Sequence, residues 1–313
     1  MIRARSVPKS RRQYALQSPA LEIARELKGI RGRPFPGFIE PALATLHHAA
    51  PSGDNWVHEI KFDGYRAQLH KSDAGTKMFT RRGYDWSDRF RNIVAAAGEL
   101  VTHGVILDGE VIVPTEEGLS DFAALESELS KRGGSDRLVY YVFDILHLEV
   151  FDLRGCALLD RKRVLEALLE NVKGPIKYSE HLHEEGPGIF RNACGMELEG
   201  IVSKRVDGTY QSGRTHLWRK STCRQRETFH VVGWAQKAGK FDGLYLGRKE
   251  RSKLVYAGKL ERGFTDADKK RILEQLERLK TKKRPIDAPR KFPKATWVKP
   301  KVMVEAEYRA KTG

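Results

Sequence analysis

Alternation of apolar and polar residues predicts several β-strands between residues 56 and 150. The alternating runs read WVHEIKF, YRAQLHK, TKMFT, GVILDGEVIVP and RLVYYVFDILHL. Helical spacing at about 87–97, 121–130, 160–171 and 187–195 predicts helices interleaved with these strands. The connections KFDGYR and KSDAGTK are hairpin-like and too short for parallel crossovers. The pattern therefore predicts an α+β fold with largely antiparallel sheets.

The two ends of the chain follow different patterns. An early helix is predicted from Ser18 to Lys28, and the Gly and Pro residues of 29–38 predict a linker. After Arg226 come short strands separated by Gly, then a basic helix at 265–280 and a last strand, WVKPKVMVEAEY. This arrangement favours a small β-barrel, of which the OB-fold is the common nucleic-acid-binding form. We therefore predict an N-terminal extension at 1–33, a first domain at 34–226 and an OB-fold domain at 227–313.

Charge separates the same three segments. The chain of 313 residues has a net charge of +16. Residues 1–33 carry nine Lys and Arg against two Glu, and residues 227–313 carry 23 basic and 11 acidic side chains. The middle segment is close to neutral. Basic ends on a near-neutral body favour a polyanionic partner such as nucleic acid. The alternatives are a solubilising tail at 1–33 and solvated Lys-rich helix faces elsewhere.

Composition excludes several other classes of protein. No apolar run approaches the roughly 18 residues of a membrane span, and the basic N-terminus lacks the apolar core of a secretory signal. Three cysteines without CxxC or Cys/His spacing argue against both a disulfide scaffold and a zinc site. We expect a soluble protein of a reducing cytosol, with no membrane partner.

The segment EIKFDGYR contains the densest chemical signal. If it is a strand, Glu59, Lys61 and Asp63 share one face, and Gly64 allows a tight turn. Lysine is a nucleophile only when unprotonated, and two flanking carboxylates raise its pKa. Activation would need a bound divalent cation or neighbouring positive groups. Candidates for the latter are Arg66, Lys204 and Lys220. The alternative is an exposed ladder of charges on a surface strand.

Further motifs follow in order. The turn TRRG offers two guanidinium groups for phosphate. In LDGE, Asp108 and Glu110 share one face of an apolar strand, where carboxylates need either a metal ion or a salt bridge. In VYYVFDIL, Phe143 is suited either to core packing or to stacking on a base. EGIVSK and WRK then bring further acidic and basic residues.

The order of these motifs resembles that of the covalent nucleotidyltransferases, which comprise ATP-dependent DNA ligases, RNA ligases and mRNA capping enzymes. The segments PxxFIEPALATL, W-HEIKFDGYRAQ, EGIVSKR and Y-SGR resemble the bacterial ATP-dependent DNA ligases of the non-homologous end-joining type. The resemblance covers about residues 34–310. It implies that 34–226 is an adenylation domain and that the substrate is nicked or broken double-stranded DNA. It further implies repair by a monomer together with a Ku-like end-binding protein.

The resemblance also implies roles for individual residues. Lys61 would attack the α-phosphate of ATP and become lysyl-AMP, from which AMP passes to the 5′-phosphate of a nick. Glu59 would recognise adenine, and Phe143 would stack on it. Glu110 and Glu199 would contact the ribose or bind Mg²⁺ or Mn²⁺.

Four basic residues would hold the rest of the nucleotide: Arg66 and Arg81 the sugar and phosphates, Lys204 and Lys220 the α-phosphate. Two departures from the family pattern concern this group. Relatives usually carry a second lysine where this chain has Thr222, so Arg219 or Arg224 would have to replace its charge. They also continue into a C-terminal basic motif that orients pyrophosphate, which does not occur here. We therefore expect self-adenylation to be slow.

Two other functions stay open at this point. A catalytically weakened paralogue would bind DNA nicks or ends and turn over poorly. An RNA ligase or capping-type nucleotidyltransferase would differ in substrate, since a capping enzyme is labelled by GTP and an RNA ligase seals RNA nicks.

Overall fold

The computed structural model describes residues 18–131, 134–223, 225–237, 239–250, 253–286 and 295–308. It divides into two compact units, Met1–Cys223 and Arg224–Gly313. The helices of the first unit are α1 (Pro19–Arg25), α2 (Arg91–Ala96), α3 (Phe122–Ser130), α4 (Leu158–Leu169) and α5 (Gly186–Gly195), and a 3₁₀ turn (Ala97–Glu99) follows α2. Among the described helices of the chain, none is long and apolar enough to span a membrane.

The strands of the first unit form two sheets. In chain order they are β1 (Arg31–Gly32), β2 (Ala42–Leu46), β3 (Trp56–Ile60), β4 (Tyr65–Ser72), β5 (Gly75–Thr80), β6 (Val105–Ile112), β7 (Val139–Leu148), β8 (Phe151–Asp152), β9 (Ile176–Tyr178), β10 (Gly200–Arg205) and β11 (Gly213–Thr222). One sheet has the order β1-β8-β7-β6-β4-β5, with β9 added to β7, and the other has the order β2-β11-β10-β3. Pairing is antiparallel except for β2 with β11 and β7 with β9. The predicted α+β class with largely antiparallel sheets is therefore confirmed.

The connection KFDGYR differs from its prediction. Strand β3 ends at Ile60 in one sheet, and β4 begins at Tyr65 in the other, so the segment links two sheets and is not a hairpin. The predicted strand face through Asp63 is therefore wrong, because Lys61 already lies beyond the strand. Gly64 allows this passage, since a Cβ there would lie 2.2 Å from the carbonyl oxygen of Val111. KSDAGTK does form the expected hairpin, between β4 and β5.

Residues 18–33 pack on the first unit. Ser18 caps α1 through its hydroxyl group, and Ala20, Leu21 and Ala24 are buried in the main core of that unit. Strand β1 then pairs with β8. These residues therefore contribute to the fold of the first unit. The rest of the predicted extension, residues 1–17, lies outside the described residues.

The described residues of the second unit form a five-stranded antiparallel sheet and one helix. Its elements are β12 (Gln225–Lys237), β13 (Lys240–Glu250), β14 (Lys253–Leu260), α6 (Asp266–Glu277), β15 (Thr296–Trp297) and β16 (Met303–Tyr308). The strand order is β14-β13-β12-β15, and β16 also pairs with β12. Within the described residues no pair joins β14 to β15 or β16, so the predicted closed OB-fold barrel is not confirmed.

Two cysteines form a disulfide bond, contrary to the prediction from the sequence. Cys194, at the end of α5, is bonded to Cys223, which follows β11. The two residues meet because α5 packs beside β10, where Ala193 and Ile201 share a small core. Sequence spacing did not reveal the pair, because 29 residues separate the two cysteines. Cys156 is a buried free thiol.

Candidate active site

A cavity of about 220 Å³ in the first unit is lined by residues of both sheets. It brings together eight of the nine site residues predicted from the sequence, which are Glu59, Lys61, Arg66, Arg81, Glu110, Phe143, Lys204 and Lys220. The ninth, Glu199, forms an ion pair with Lys61. Residues from six separate motifs therefore meet at one place.

Strand register explains how these residues meet. In the four-stranded sheet, Val202 lies opposite Glu59 on one side and opposite Lys220 on the other. Lys204, two residues further along β10, projects from the same face as Val202. In the other sheet, Arg66 lies opposite Glu110. One polar row on each sheet therefore faces the cavity.

Lys61 lies beside Gly200, the first residue of β10. Its backbone N–H donates to the carbonyl of Gly200 at 3.0 Å, and its Nζ donates to Oε2 of Glu199. Gly200 is required here, because it has a φ of 142° and a Cβ would lie 2.1 Å from the carbonyl oxygen of Ser221. Burial raises the pKa of Glu199, and the charge and hydrogen bond of Lys61 act against that rise. Because Nζ is bonded to Glu199, Lys61 must leave this carboxylate before its Nζ can approach a ligand.

Glu59 is buried, with 3% of its surface exposed, and is bound by two lysines. Lys162 Nζ donates to Oε1 at 2.9 Å, and Lys204 Nζ donates to Oε2 at 2.7 Å. Lys204 Nζ also lies 4.5 Å from the ring centre of Phe143 and 4.3 Å from that of Trp218. The pKa of Lys204 is lowered by burial, against the opposing charge of Glu59.

Arg66 is fixed by an acid from a different motif. Its Nε and Nη2 donate to the two oxygens of Asp108 at 3.0 and 2.6 Å, and Nη1 donates to the carbonyl of Ala42. Asp108 is fully buried and also accepts a hydrogen bond from the Tyr210 hydroxyl at 2.6 Å. Of the two alternatives for Asp108, the salt bridge is therefore the one observed. The guanidinium of Arg66 lies 5.1 Å from the ring centre of Phe143.

Glu110 differs from the other acids of the site. Among the described residues no hydrogen bond or ion pair reaches its carboxylate, although it lines the cavity. Burial raises its pKa from 4.5 to about 8, against the opposing charges of Arg66 and Lys61. A carboxylate in this position gains most from a cation or a hydrogen-bond donor brought by a ligand.

Sequence reasoning missed three basic residues. Lys162 and Arg161 lie on the amphipathic helix α4, where charges are usually solvated, yet both side chains are buried. Arg161 binds both oxygens of Asp144 at 2.7 and 2.8 Å. Arg214 lines the cavity, and the signal that could have found it is its place in the basic turn SGRTH.

Arg219 does not replace the lysine charge that relatives carry at the position of Thr222. Thr222 lies opposite Gly200 in β11, and the guanidinium of Arg219 lies 4.6 Å from the ring centre of Trp56. Arg219 does not line the cavity. Arg224, the other candidate, lies outside the described residues.

Comparison with known proteins identifies the class. Residues 41–221 match the family model described as ATP dependent DNA ligase domain, and residues 237–313 match the ATP dependent DNA ligase C terminal region. The structure is similar to that of mycobacterial DNA ligase D complexed with ATP and MES. The TM-score is 0.56 at 29% identity, covering 86% of this chain and 88% of that one. The fold is therefore that of DNA ligase nucleotidyltransferase domains.

The sequence relatives agree with this class. The chain is 35% identical over 306 residues to the multifunctional non-homologous end joining protein LigD of Pseudomonas aeruginosa, covering 94% of this chain and 36% of that protein. It is 30% identical over 288 residues to the LigD protein of Mycolicibacterium smegmatis, covering 88% of this chain and 37% of the relative. The chain thus spans little more than a third of these curated relatives. It belongs to the family of ATP-dependent DNA ligases.

Proposed function

We propose that this chain seals nicks that carry a 5′-phosphate and a 3′-hydroxyl in double-stranded DNA, using ATP and a lysyl-AMP intermediate on Lys61. The observation that carries the proposal is the position of Lys61 in a cavity lined by seven other residues of the ligase motifs. A lysine beside a cluster of cations is suited to nucleophilic attack on a phosphate, because the cations neutralise charge as the leaving group departs.

The reaction would proceed in three steps, which are two transfers of AMP and a final displacement of AMP at the 5′-phosphorus of the nick. Neutral Nζ of Lys61 attacks the α-phosphorus of ATP, the P–N bond forms, and the bond to the β-phosphate oxygen breaks to release pyrophosphate. The 5′-phosphate of the nick then attacks the lysyl-AMP and takes the AMP. The 3′-hydroxyl finally attacks the 5′-phosphorus, and AMP leaves as the nick is sealed.

The residues around Lys61 would bind the nucleotide. Glu59 would accept a hydrogen bond from the 6-amino group of adenine, and Phe143 would contribute the ring against which the base stacks. Lys204 and Lys220 would contact the α-phosphate. Arg81, which is exposed at the cavity, would contact the sugar or phosphates.

Arg66 would also lie near the sugar or phosphates, but its side chain has less freedom to move than that of Arg81. Its guanidinium is already bonded to Asp108, so its role would be to place positive charge beside the cavity.

A divalent cation fits the acids that are available. Mg²⁺ is usually bound by one or two carboxylates together with substrate phosphates, and Glu110 has a raised pKa and no bonded partner among the described residues. Those residues contain no group of three or more His, Cys, Asp and Glu suited to holding a metal on their own. Glu110 and Glu199 would hold the cation, which would neutralise phosphate charge and compete with Lys61 for the carboxylate of Glu199. We infer Mg²⁺ or Mn²⁺.

The cellular setting is part of the same proposal. Two relatives are named as non-homologous end joining proteins, which favours a role in bacterial double-strand break repair with a Ku-like end-binding protein. We propose that the chain acts as a monomer in the cytosol, and that residues 227–313 adopt an OB-type fold for DNA binding. Their 23 basic side chains against 11 acidic ones support contact with phosphates.

Labelling with α-³²P-ATP followed by peptide mapping tests the proposal. We expect the label on the peptide that contains Lys61, and we expect Lys61→Ala to lose both the label and the sealing of a phosphorylated nick. Lys77→Ala, which changes an exposed lysine paired with Asp85, is the matched control and should keep both. A label that persists in Lys61→Ala contradicts the assignment. Binding of nicked DNA without any labelling would favour the catalytically weakened paralogue.

A further inference from the structure

We propose that Lys162 is a positioning residue that sets the selection of adenine by holding the carboxylate of Glu59. This inference rests on the proposed function, because it takes Glu59 as the group that meets the base. Lys162 does not line the cavity, so it would act on the nucleotide through Glu59 alone.

The ammonium group of Lys162 is held on several sides. Its Nζ donates to Glu59 Oε1 at 2.9 Å and to the carbonyl of Ser179 at 2.5 Å, and it lies 4.5 Å from the ring centre of Tyr178. Only 1% of the residue is exposed. An ammonium group has three donors, and fixed acceptors take two of them. Lys162 therefore forms a rigid anchor rather than a mobile surface charge.

The bond from Lys162 determines the orientation of the Glu59 carboxylate. One oxygen of Glu59 accepts from Lys162 and the other accepts from Lys204. Each carboxylate oxygen has two acceptor sites, so each keeps one for a ligand. Because Lys162 fixes one oxygen, the carboxylate cannot turn, and the direction of its remaining acceptor sites is set.

The two lysines that bind Glu59 have different freedom. Lys204 lines the cavity and sits over the rings of Phe143 and Trp218, so an incoming phosphate can attract it away from Glu59. Lys162 has no access to such a ligand. When Lys204 moves, Lys162 is the cation that still pairs with the buried Glu59 and holds it in place.

A carboxylate that is fixed by a cation discriminates between bases. It offers only acceptors, so it bonds the 6-amino group of adenine and repels the 6-oxo group of guanine or hypoxanthine. A site whose buried acceptor is left without a donor disfavours the wrong base. Loss of Lys162 should therefore reduce the preference for ATP over inosine triphosphate, which lacks the amino group.

Equilibrium binding of ATP and inosine triphosphate, measured by calorimetry, tests the inference without requiring catalysis. We expect Lys162→Met to weaken ATP binding at least tenfold and to change inosine triphosphate binding less than twofold. The control Lys177→Met changes an exposed lysine on β9 and should change neither. Lys162→Arg keeps the charge and should recover at least part of the preference, which simple loss of packing does not explain.

A second variant keeps the test informative if Lys162→Met does not fold. Lys162→Gln keeps an N–H donor for Glu59 and should shift the ratio of the two affinities in the same direction by a smaller factor. An unchanged ratio in either folded variant overturns the inference, and so does a wild-type protein that binds both nucleotides equally. Wild-type protein that prefers ATP but never becomes labelled would contradict the proposed ligase function while leaving Lys162 to be judged by the same ratio.

Discussion

Replacing Glu110 by Gln should stabilise the protein, and the gain should grow with pH. Burial raises the pKa of Glu110 from 4.5 to about 8. Between these pH values the unfolded chain has lost the proton while the folded protein keeps it. The folded state therefore binds more protons, and its stability falls as the pH rises through this window. Below pH 4.5 both states are protonated and the effect is absent.

The magnitude follows from the width of that window. One proton contributes about 1.4 kcal/mol per pH unit to the free energy of unfolding. At pH 7, some 2.5 units above the unfolded value, the cost of Glu110 is at most about 3 kcal/mol. A neutral Gln imitates the protonated acid and removes this cost.

Urea unfolding at pH 5, 6, 7 and 8 in the presence of a chelator would measure the effect. The difference between Glu110→Gln and wild type should rise steadily over this range. Glu128→Gln is the matched control of opposite sign, because the pKa of Glu128 is lowered to about 2, chiefly by its hydrogen bond with Lys131. Its contribution is fully present above pH 4.5 and is lost as the pH falls towards 2, so its removal should destabilise by an amount that is constant from pH 5 to 8.

A flat difference for Glu110→Gln would refute the reasoning, since it would mean that the side chain is already ionised at pH 5. Mg²⁺ provides a second check. If the cation binds ionised Glu110, its addition should stabilise wild type more than the variant and reduce the difference between them.

Two further variants test other parts of the first unit. Arg161→Met should lower the free energy of unfolding by about 3–5 kcal/mol, because it leaves the fully buried Asp144 without its cation; a loss below 1 kcal/mol in urea unfolding would contradict this. Thr222→Lys should speed the labelling of Lys61 by ATP at least tenfold and change the sealing of a pre-adenylated nick little, because Thr222 lies two residues from Lys220 on the same face of its strand and the added charge would assist the step that uses the triphosphate. Equal rates for wild type on both substrates would show that another basic group already holds the pyrophosphate.

Local patterns were sufficient for most of the strands, and the ordered motifs selected residues that the structure brings together in one cavity. Alternating residues in GVILDGEVIV correspond to β6, whose apolar side chains are buried while Glu110 faces the cavity. The helix at 121–130 begins where Asp121 caps it. Such signals depend on neighbours in sequence, which is why they can be read from the chain alone.

Contacts distant in sequence could not be predicted in the same way. Lys162 lies 103 residues from Glu59, and nothing in the helical pattern of α4 distinguishes it from the solvated Arg163 beside it. The Cys194–Cys223 bond was missed for the same reason. The barrel predicted for the second unit stays unconfirmed for a similar reason, because closure of a sheet depends on pairs between distant strands.

Burial of the ion pairs indicates the order in which a nucleotide can rearrange the site. Three of the predicted cations are paired in the protein with an acid from another motif: Arg66 with Asp108, Lys204 with Glu59 and Lys61 with Glu199. Breaking a pair is costly when one member stays buried without a partner. Asp108 is fully buried, and Glu59 keeps Lys162 when Lys204 leaves.

The pair of Lys61 and Glu199 is the most exposed of the three, with 21% and 16% of the two side chains accessible. Water can replace either partner, and an incoming phosphate can replace the carboxylate beside Lys61, so this pair costs least to separate. Of the three pairs, Lys61–Glu199 therefore opens most readily, while the more deeply buried Arg66–Asp108 pair remains. If Lys61 is the nucleophile, as proposed above, separation of this pair is the event that frees it.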